Sequence, residues 1–246
     1  MEKMTNRIKE LAKCLGATAV GISTVETLAG GPPSVDLAYV LPGAKSAVSF
    51  LLPLNQSYIE PFLQKKDRRS HELDNIRTNT LASGISFEIA SYLTQKGYPS
   101  VGQTANITYR TDTPNGPFDE KPPISHRYLA VRSGIGHFGL SGNVITDKNG
   151  AAVILGSLVT TAQLIPTEPL RPEDNYCDGC RLCIASCASE YMDPDKEVRR
   201  KRHKMLISSG VVVQRPDGSC EAVSPEEAKK RLKDMPPEQW ALYENV

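Results

Sequence analysis

The chain has 246 residues, 39% hydrophobic and 23% charged, with 29 Lys and Arg against 28 Asp and Glu for a net charge of +1. That balance excludes a disordered chain, and it excludes a global field that would gather nucleic acid or membrane without local recruitment. The length suits one full core plus a small appended unit.

Ile8, Leu11, Ala12 and Leu15 recur at helical spacing, so an amphipathic helix stopped at Gly16 opens the chain. Its first residues carry no apolar leader and no later stretch reaches the length of a membrane span, so a cytoplasmic location without a membrane partner is expected. Strands follow at residues 18–23 and 47–52, the second ended by Pro53, with a Gly-Gly-Pro-Pro turn at 30–33 between them. A long helix is expected over 71–96, with Ile85, Ile89, Tyr92 and Leu93 on one face and Gly97 as its stop. Residues 104–123 are rich in Pro, Gly, Asn, Asp and Thr, too long for a simple connection and so a candidate binding loop. A short helix over 125–133 leads into a glycine turn. Residues 142–146 and 151–161 read as a β-hairpin across Asp147-Lys-Asn-Gly150. Beyond a proline-marked linker at 166–172 lie a cysteine loop, a basic segment at 197–204, a hairpin around Pro216-Asp217-Gly218 and a last helix capped from Ser224.

Cys177, Cys180, Cys183 and Cys187 read C-x2-C-x2-C-x3-C, the spacing by which one loop delivers thiolates to several corners of an iron-sulfur cube. The competing readings are zinc, which usually takes two C-x2-C pairs across a longer insert, and disulfides. Ala188 stands where two-cluster ferredoxins carry proline, and no second run exists, so the ligands suffice for one 4Fe-4S cluster. Cys187 or the distant Cys220 completes it. Six cysteines, four at ligand spacing, also point to a reducing compartment.

Residues 134–139 match G-x-G-x-x-G, which in a dinucleotide fold leaves a strand and opens a helix. Here a helix precedes the glycines and a hairpin follows them. Two other readings stand beside the nucleotide loop: a turn shaped for tight packing, and a backbone that approaches a flat cofactor closely.

Residues 127–139, Arg-Tyr-Leu-Ala-Val-Arg-Ser-Gly-Ile-Gly-His-Phe-Gly, the strand over 153–161 and the cysteine run resemble, in that order, the epoxyqueuosine reductases and their relatives the reductive dehalogenases. Leu41-Pro-Gly-Ala-Lys-Ser-Ala-Val48 also fits, and the resemblance covers roughly residues 40–190. It implies an α+β fold: a nitroreductase-like cobalamin-binding domain over 1–165, then a small ferredoxin-like iron-sulfur domain over 166–246. It implies an oxidoreductase that passes electrons from its cluster to cobalt. Residues implied at the cofactor are Arg127, Gly134, Gly136, His137, Phe138, Gly139 and Gly156. His137 stands where the family has tryptophan, and Leu140-Ser141 where it has Lys-Asn. The family's proton-donating aspartate aligns with Glu120, and His126 is a second proton-donor candidate. Family members typically carry two clusters, this chain the ligands for one.

Tyr109 and His71 are further candidates, each equally readable as an ordinary packing or surface residue. The basic segment suits a tRNA backbone, the acidic face of a corrinoid protein, or plain solvent exposure. The expected substrate is a small molecule or modified nucleoside, with an electron-donor protein as partner. Two alternatives remain: flavin mononucleotide in place of cobalamin, and a non-catalytic electron carrier or corrinoid-reducing partner.

Overall fold

Central strands that must bury both faces read as continuous apolar or small runs, and Ser-Ala-Val-Ser-Phe-Leu-Leu-Pro at 46–53 is such a run. In the computed structural model it forms the middle of a four-stranded antiparallel sheet, and all but its last residue is buried. The structure describes residues 1–105, 108–113, 121–177, 180, 181 and 183, and the backbone of 211–214 and 220–223.

The first unit, Met1–Asp178, runs α1 (Glu2–Cys14), β1 (Ala19–Thr24), α2 (Leu37–Val40), β2 (Ser46–Pro53), α3 (Ile59–Leu63), α4 (Arg68–Gln95), β3 (Ser100–Gln103), α5 (His126–Arg132), β4 (His137–Phe138), β5 (Val144–Ile145) and β6 (Val153–Thr160). The sheet order is β1-β2-β6-β3, every pair antiparallel, with Phe50 of β2 opposite Val20 on one side and Gly156 on the other. Alternation along β2 then divides the core. Val48, Phe50 and Leu52 pack with Ile8 and Ala12 of α1 and with Ile85, Ile89 and Leu93 of α4. Ala47 and Leu51 turn the other way, toward Leu129 and Ala130 of α5. Helices thus cover both faces of a mixed α and β unit.

The expected α1, β1, β2, α4 and α5 are present, with boundaries moved by caps. The long helix begins at Arg68, ahead of the expected residue 71, because the Asp67 carboxylate accepts the Ser70 N–H at 3.0 Å. It stops before Gly97, whose φ of +87° ends a right-handed helix at no steric cost. β3 was not expected; it is a four-residue edge strand that crosses α4 at Gly102, where a Cβ would lie 2.6 Å from the Phe87 ring.

The hairpin expected between 142–146 and 151–161 forms differently. Only the Thr146–Gly150 bridge survives across the Asn-Gly turn. β5 pairs instead with β4 of the glycine turn, and β6 enters the main sheet between β2 and β3. The eight-residue β6 runs from half-buried residues into a fully buried end, and two partner strands satisfy it where one short strand would leave it an exposed edge.

In the second unit, Gly179–Val246, β7 (Val211–Gln214) pairs antiparallel with β8 (Cys220–Val223), as expected. The turn at 216–218, the basic segment and the helix expected from Ser224 lie outside the described residues. Among the described residues no helix is long and apolar enough to cross a membrane.

Candidate functional site

Where the sheet meets α5, the first unit holds a cavity of about 420 Å³, within the range of ligand pockets in general. Its walls come from Gln103 to Ala105 after β3, Thr108 and Tyr109, Pro122 to Arg127 leading into α5, Asn143 and Val144 at β5, and Val153 to Leu155 of β6. Segments distant in sequence are therefore tied together locally. Ser125 caps α5 by accepting the Tyr128 N–H, and its own N–H donates to Ser34 O at 2.7 Å. Arg110 fastens the loop: Nε donates to Pro122 O at 3.2 Å, Nη2 donates to Pro33 O at 2.9 Å and to Pro123 O at 3.2 Å, and the guanidinium lies 3.7 Å from the centre of the Tyr39 ring. Planar, multiply donating arginine suits such a junction, where lysine would not.

His126 is the first residue of α5 and lines the cavity. One ring nitrogen, Nε2, lies 3.3 Å from Thr104 O, and the other, Nδ1, lies 2.8 Å from the Ser157 hydroxyl. A carbonyl only accepts, so Nε2 carries the proton and Nδ1 accepts from Ser157. Burial pushes the imidazole below its ordinary value, and the Thr104 carbonyl only partly offsets this. The ring is neutral, with both nitrogens engaged. Ser86 continues the network, accepting from Gln103 N–H at 2.9 Å and donating to Ser157 O.

Arg127 supplies the cavity's fixed positive charge, its Nη1 donating to Gly142 O at 2.8 Å. Tyr109 also lines the cavity. His71 does not; it stacks on Phe62 in another part of the unit, ring centres 4.2 Å apart. Gly156 is not a cavity residue either. It faces the α4 side of the sheet, where its missing Cβ is filled by the Phe50 ring, 2.4 Å from where that carbon would be.

The glycine turn belongs to the β4–β5 ribbon rather than to a helix N-terminus, so the dinucleotide reading fails on context. A Cβ on Gly134, whose φ is +74°, would lie 2.3 Å from Glu168 O, and one on Gly136 would lie 2.6 Å from Ile145 O. Close packing accounts for both. Within the ribbon His137 is buried and its Nε2 has no hydrogen-bond partner among the described residues, while Phe138 meets Tyr128 edge-on at 4.8 Å. None of residues 134–139 lines the cavity, but Asn143 and Val144 of the same ribbon do.

The ribbon's tip reaches the cysteine run. Leu140 N–H donates to Cys177 Sγ at 3.2 Å, Cys177 N–H donates to Asn175 Oδ1 at 3.0 Å, and Asn175 Nδ2 donates to Phe138 O at 3.4 Å. No role was read for Asn175 or Leu140 from the sequence, although an Asn two residues before Cys177 fits an Asx turn. Among the described residues neither Cys177 nor Cys180 is joined in a disulfide. Among the described residues no three metal-ligating side chains converge. Glu120, Cys187 and the side chain of Cys220 lie outside the described residues.

No family model matches the chain. Curated proteins do: the epoxyqueuosine reductase of Gloeobacter violaceus is 27% identical over 203 residues, 74% of this chain and 58% of its own length. The epoxyqueuosine reductase of Vibrio cholerae is 27% identical over 182 residues, 73% of this chain and 42% of its own length. That of Aliivibrio fischeri is 30% identical over 183 residues, covering 73% of this chain and 42% of its own. The chain thus spans about half the length of the relatives it matches. An epoxyqueuosine reductase solved with an epoxyqueuosine-modified tRNA stem loop shares the fold at a TM-score of 0.53 and 20% identity, covering 77% of this chain and 53% of that one. A catabolic reductive dehalogenase matches at 0.51 and 16%, over 87% of this chain and 28% of its own. The resemblance read from the motifs is therefore matched by sequence and by fold.

Proposed function

We propose that this chain is an oxidoreductase of the epoxyqueuosine reductase type, a nitroreductase-like cobalamin domain joined to a ferredoxin-like iron-sulfur domain. Cys177, Cys180 and Cys183, with Cys187 or Cys220, hold one 4Fe-4S cluster. The cavity beside α5, about 420 Å³, would seat only part of a cobalamin, with Arg127, Asn143 and Val144 against it. The observation that carries this reading is the Leu140–Cys177 contact, because it joins the first thiolate of the run to the ribbon whose Asn143 and Val144 wall the cavity.

When bound, the two groups supply low-potential single electrons for a reductive bond cleavage. The chain's own residues do the rest. Arg127 offers a cation to an anionic part of the cofactor or substrate, and Gly136 and Gly139 keep the ribbon thin. Glu120 is assigned the substrate proton by its match to the family's aspartate. His126, neutral and engaged at both nitrogens, is the weaker acid and is assigned to holding the wall between Thr104 and Ser157. The substrate class proposed is a modified nucleoside in RNA, after the ligand of the matched reductase, with electrons from a donor protein in the cytoplasm. A second reading is a non-catalytic electron carrier or corrinoid-reducing partner without a substrate of its own.

Anaerobic purification, reconstitution with iron and sulfide, and absorbance of the extracted cofactor test the proposal. Four irons per chain with a corrinoid are expected. Extracted flavin would replace cobalamin in this reading, and absence of iron would overturn it. Turnover of a modified stem loop without partner protein would remove the carrier reading.

A further inference from the structure

The tip of the β4–β5 ribbon is a tight turn in which Gly142 N–H donates to Gly139 O and Gly139 N–H donates to Asn143 O, both at 2.9 Å. Those two donors close the turn. Leu140, in its second position, aims its N–H at Cys177 Sγ instead. That aim is held by one carboxamide whose orientation chemistry fixes: Cys177 N–H can only donate and Phe138 O can only accept, so Asn175 presents Oδ1 to the first and Nδ2 to the second. The cysteine is thereby registered to the ribbon through three bonds, two made by Asn175 and one made to the sulfur itself.

Resting on the cluster reading above, we infer that the Leu140 backbone N–H is a built-in donor to the cluster's first thiolate that raises its reduction potential, and that Asn175 is the positioning residue that keeps it there. Hydrogen bonds to cluster sulfurs are one of the protein's levers on potential, since they stabilise the more negative, reduced form. The lever here comes from the cofactor domain rather than from the cysteine loop. The potential therefore responds to how the ribbon sits, and the same ribbon walls the cavity.

Leu140→Pro isolates the N–H. The second position of a β-turn favours proline, and Leu140 already has a negative φ, as the only positive values outside glycine among the described residues are at Lys65 and Arg181. The full chain is reconstituted anaerobically, and iron content, thermal unfolding and a potentiometric titration followed by electron paramagnetic resonance are compared with the parent. The variant is expected to keep its iron and its unfolding temperature while its potential moves to a more negative value. Asn175→Ser, which retains an acceptor for Cys177 N–H and loses the donor to Phe138, is expected to shift it the same way by less, with a broadened spectrum. Should Leu140→Pro lose iron, Asn175→Ser carries the measurement. Unchanged potentials in iron-loaded variants would overturn this inference alone. A parent chain without iron would overturn it together with the reading on which it rests.

Discussion

The hydroxyl of Ser157, in the middle of β6, donates to Nδ1 of His126 at the start of α5 across 2.8 Å. Ser157 is fully buried, so this bond is shielded from solvent and ties the cavity's wall directly to the central sheet.

Because burial depresses the His126 imidazole in the folded chain, the unfolded chain takes up the proton first. Stability is therefore full above the ordinary histidine value of 6.5 and falls as pH drops through it toward the lower folded value. Urea unfolding from about pH 7 to about pH 5 measures the slope. His126→Gln is expected to flatten it, and Ser157→Ala to cost about 1 kcal/mol at neutral pH. An equal slope in His126→Gln would assign the dependence to other groups.

Asp74 of α4 is buried and accepts the Asn55 N–H at 2.7 Å and the Arg77 guanidinium at 2.7 Å. Burial pushes its carboxyl up, but these bonds and nearby His71 outweigh burial and leave it below the ordinary 3.8. Its stabilisation is present above that value and fades as pH falls through the folded one. Asp74→Asn is expected to cost about 2 kcal/mol at neutral pH and less in acid, read by thermal unfolding across that range.

Gly156 separates packing from ligand binding. Gly156→Ala forces a methyl against the Phe50 ring, and an overpacked core of this kind typically costs about 1 to 3 kcal/mol. Retention of the cofactor at a temperature where the variant is folded is expected to be unchanged. A selective loss of cofactor would place Gly156 at the site after all.

Arg127→Ala is expected to weaken corrinoid retention about tenfold, equivalent to about 1.4 kcal/mol, in equilibrium dialysis of the reconstituted chain. Arg127→Lys restores the charge without the planar fork and is expected to recover it only in part.

The helices and strands with a clear period were legible before any coordinates: the Ile8–Leu11–Ala12–Leu15 face, the apolar run at 47–52 and the Ile85–Ile89–Leu93 face all lie where their spacing put them. β3 was not, because four residues including Gly102 carry no period to read. The Asn-Gly turn was legible as a turn, but which strands it would join depended on β6 finding two partners in the sheet. At the site, the loop announced itself by residue type, whereas residues 134–139 stand outside the cavity's walls. The connecting residues did not announce themselves: Thr104, Ser157 and Asn175 are ordinary residues whose roles arise only when the fold brings them to His126, Phe138 and Cys177.

The cavity has two separate foundations, and Arg110 secures one of them. Its rim hangs from the carbonyls of Pro33, Pro122 and Pro123, whereas Val153 to Leu155 of its floor belong to the sheet. A redesign that swaps Thr108 or Tyr109 to admit a different guest can leave that suspension untouched, so new selectivity is open to engineering without rebuilding the scaffold beneath.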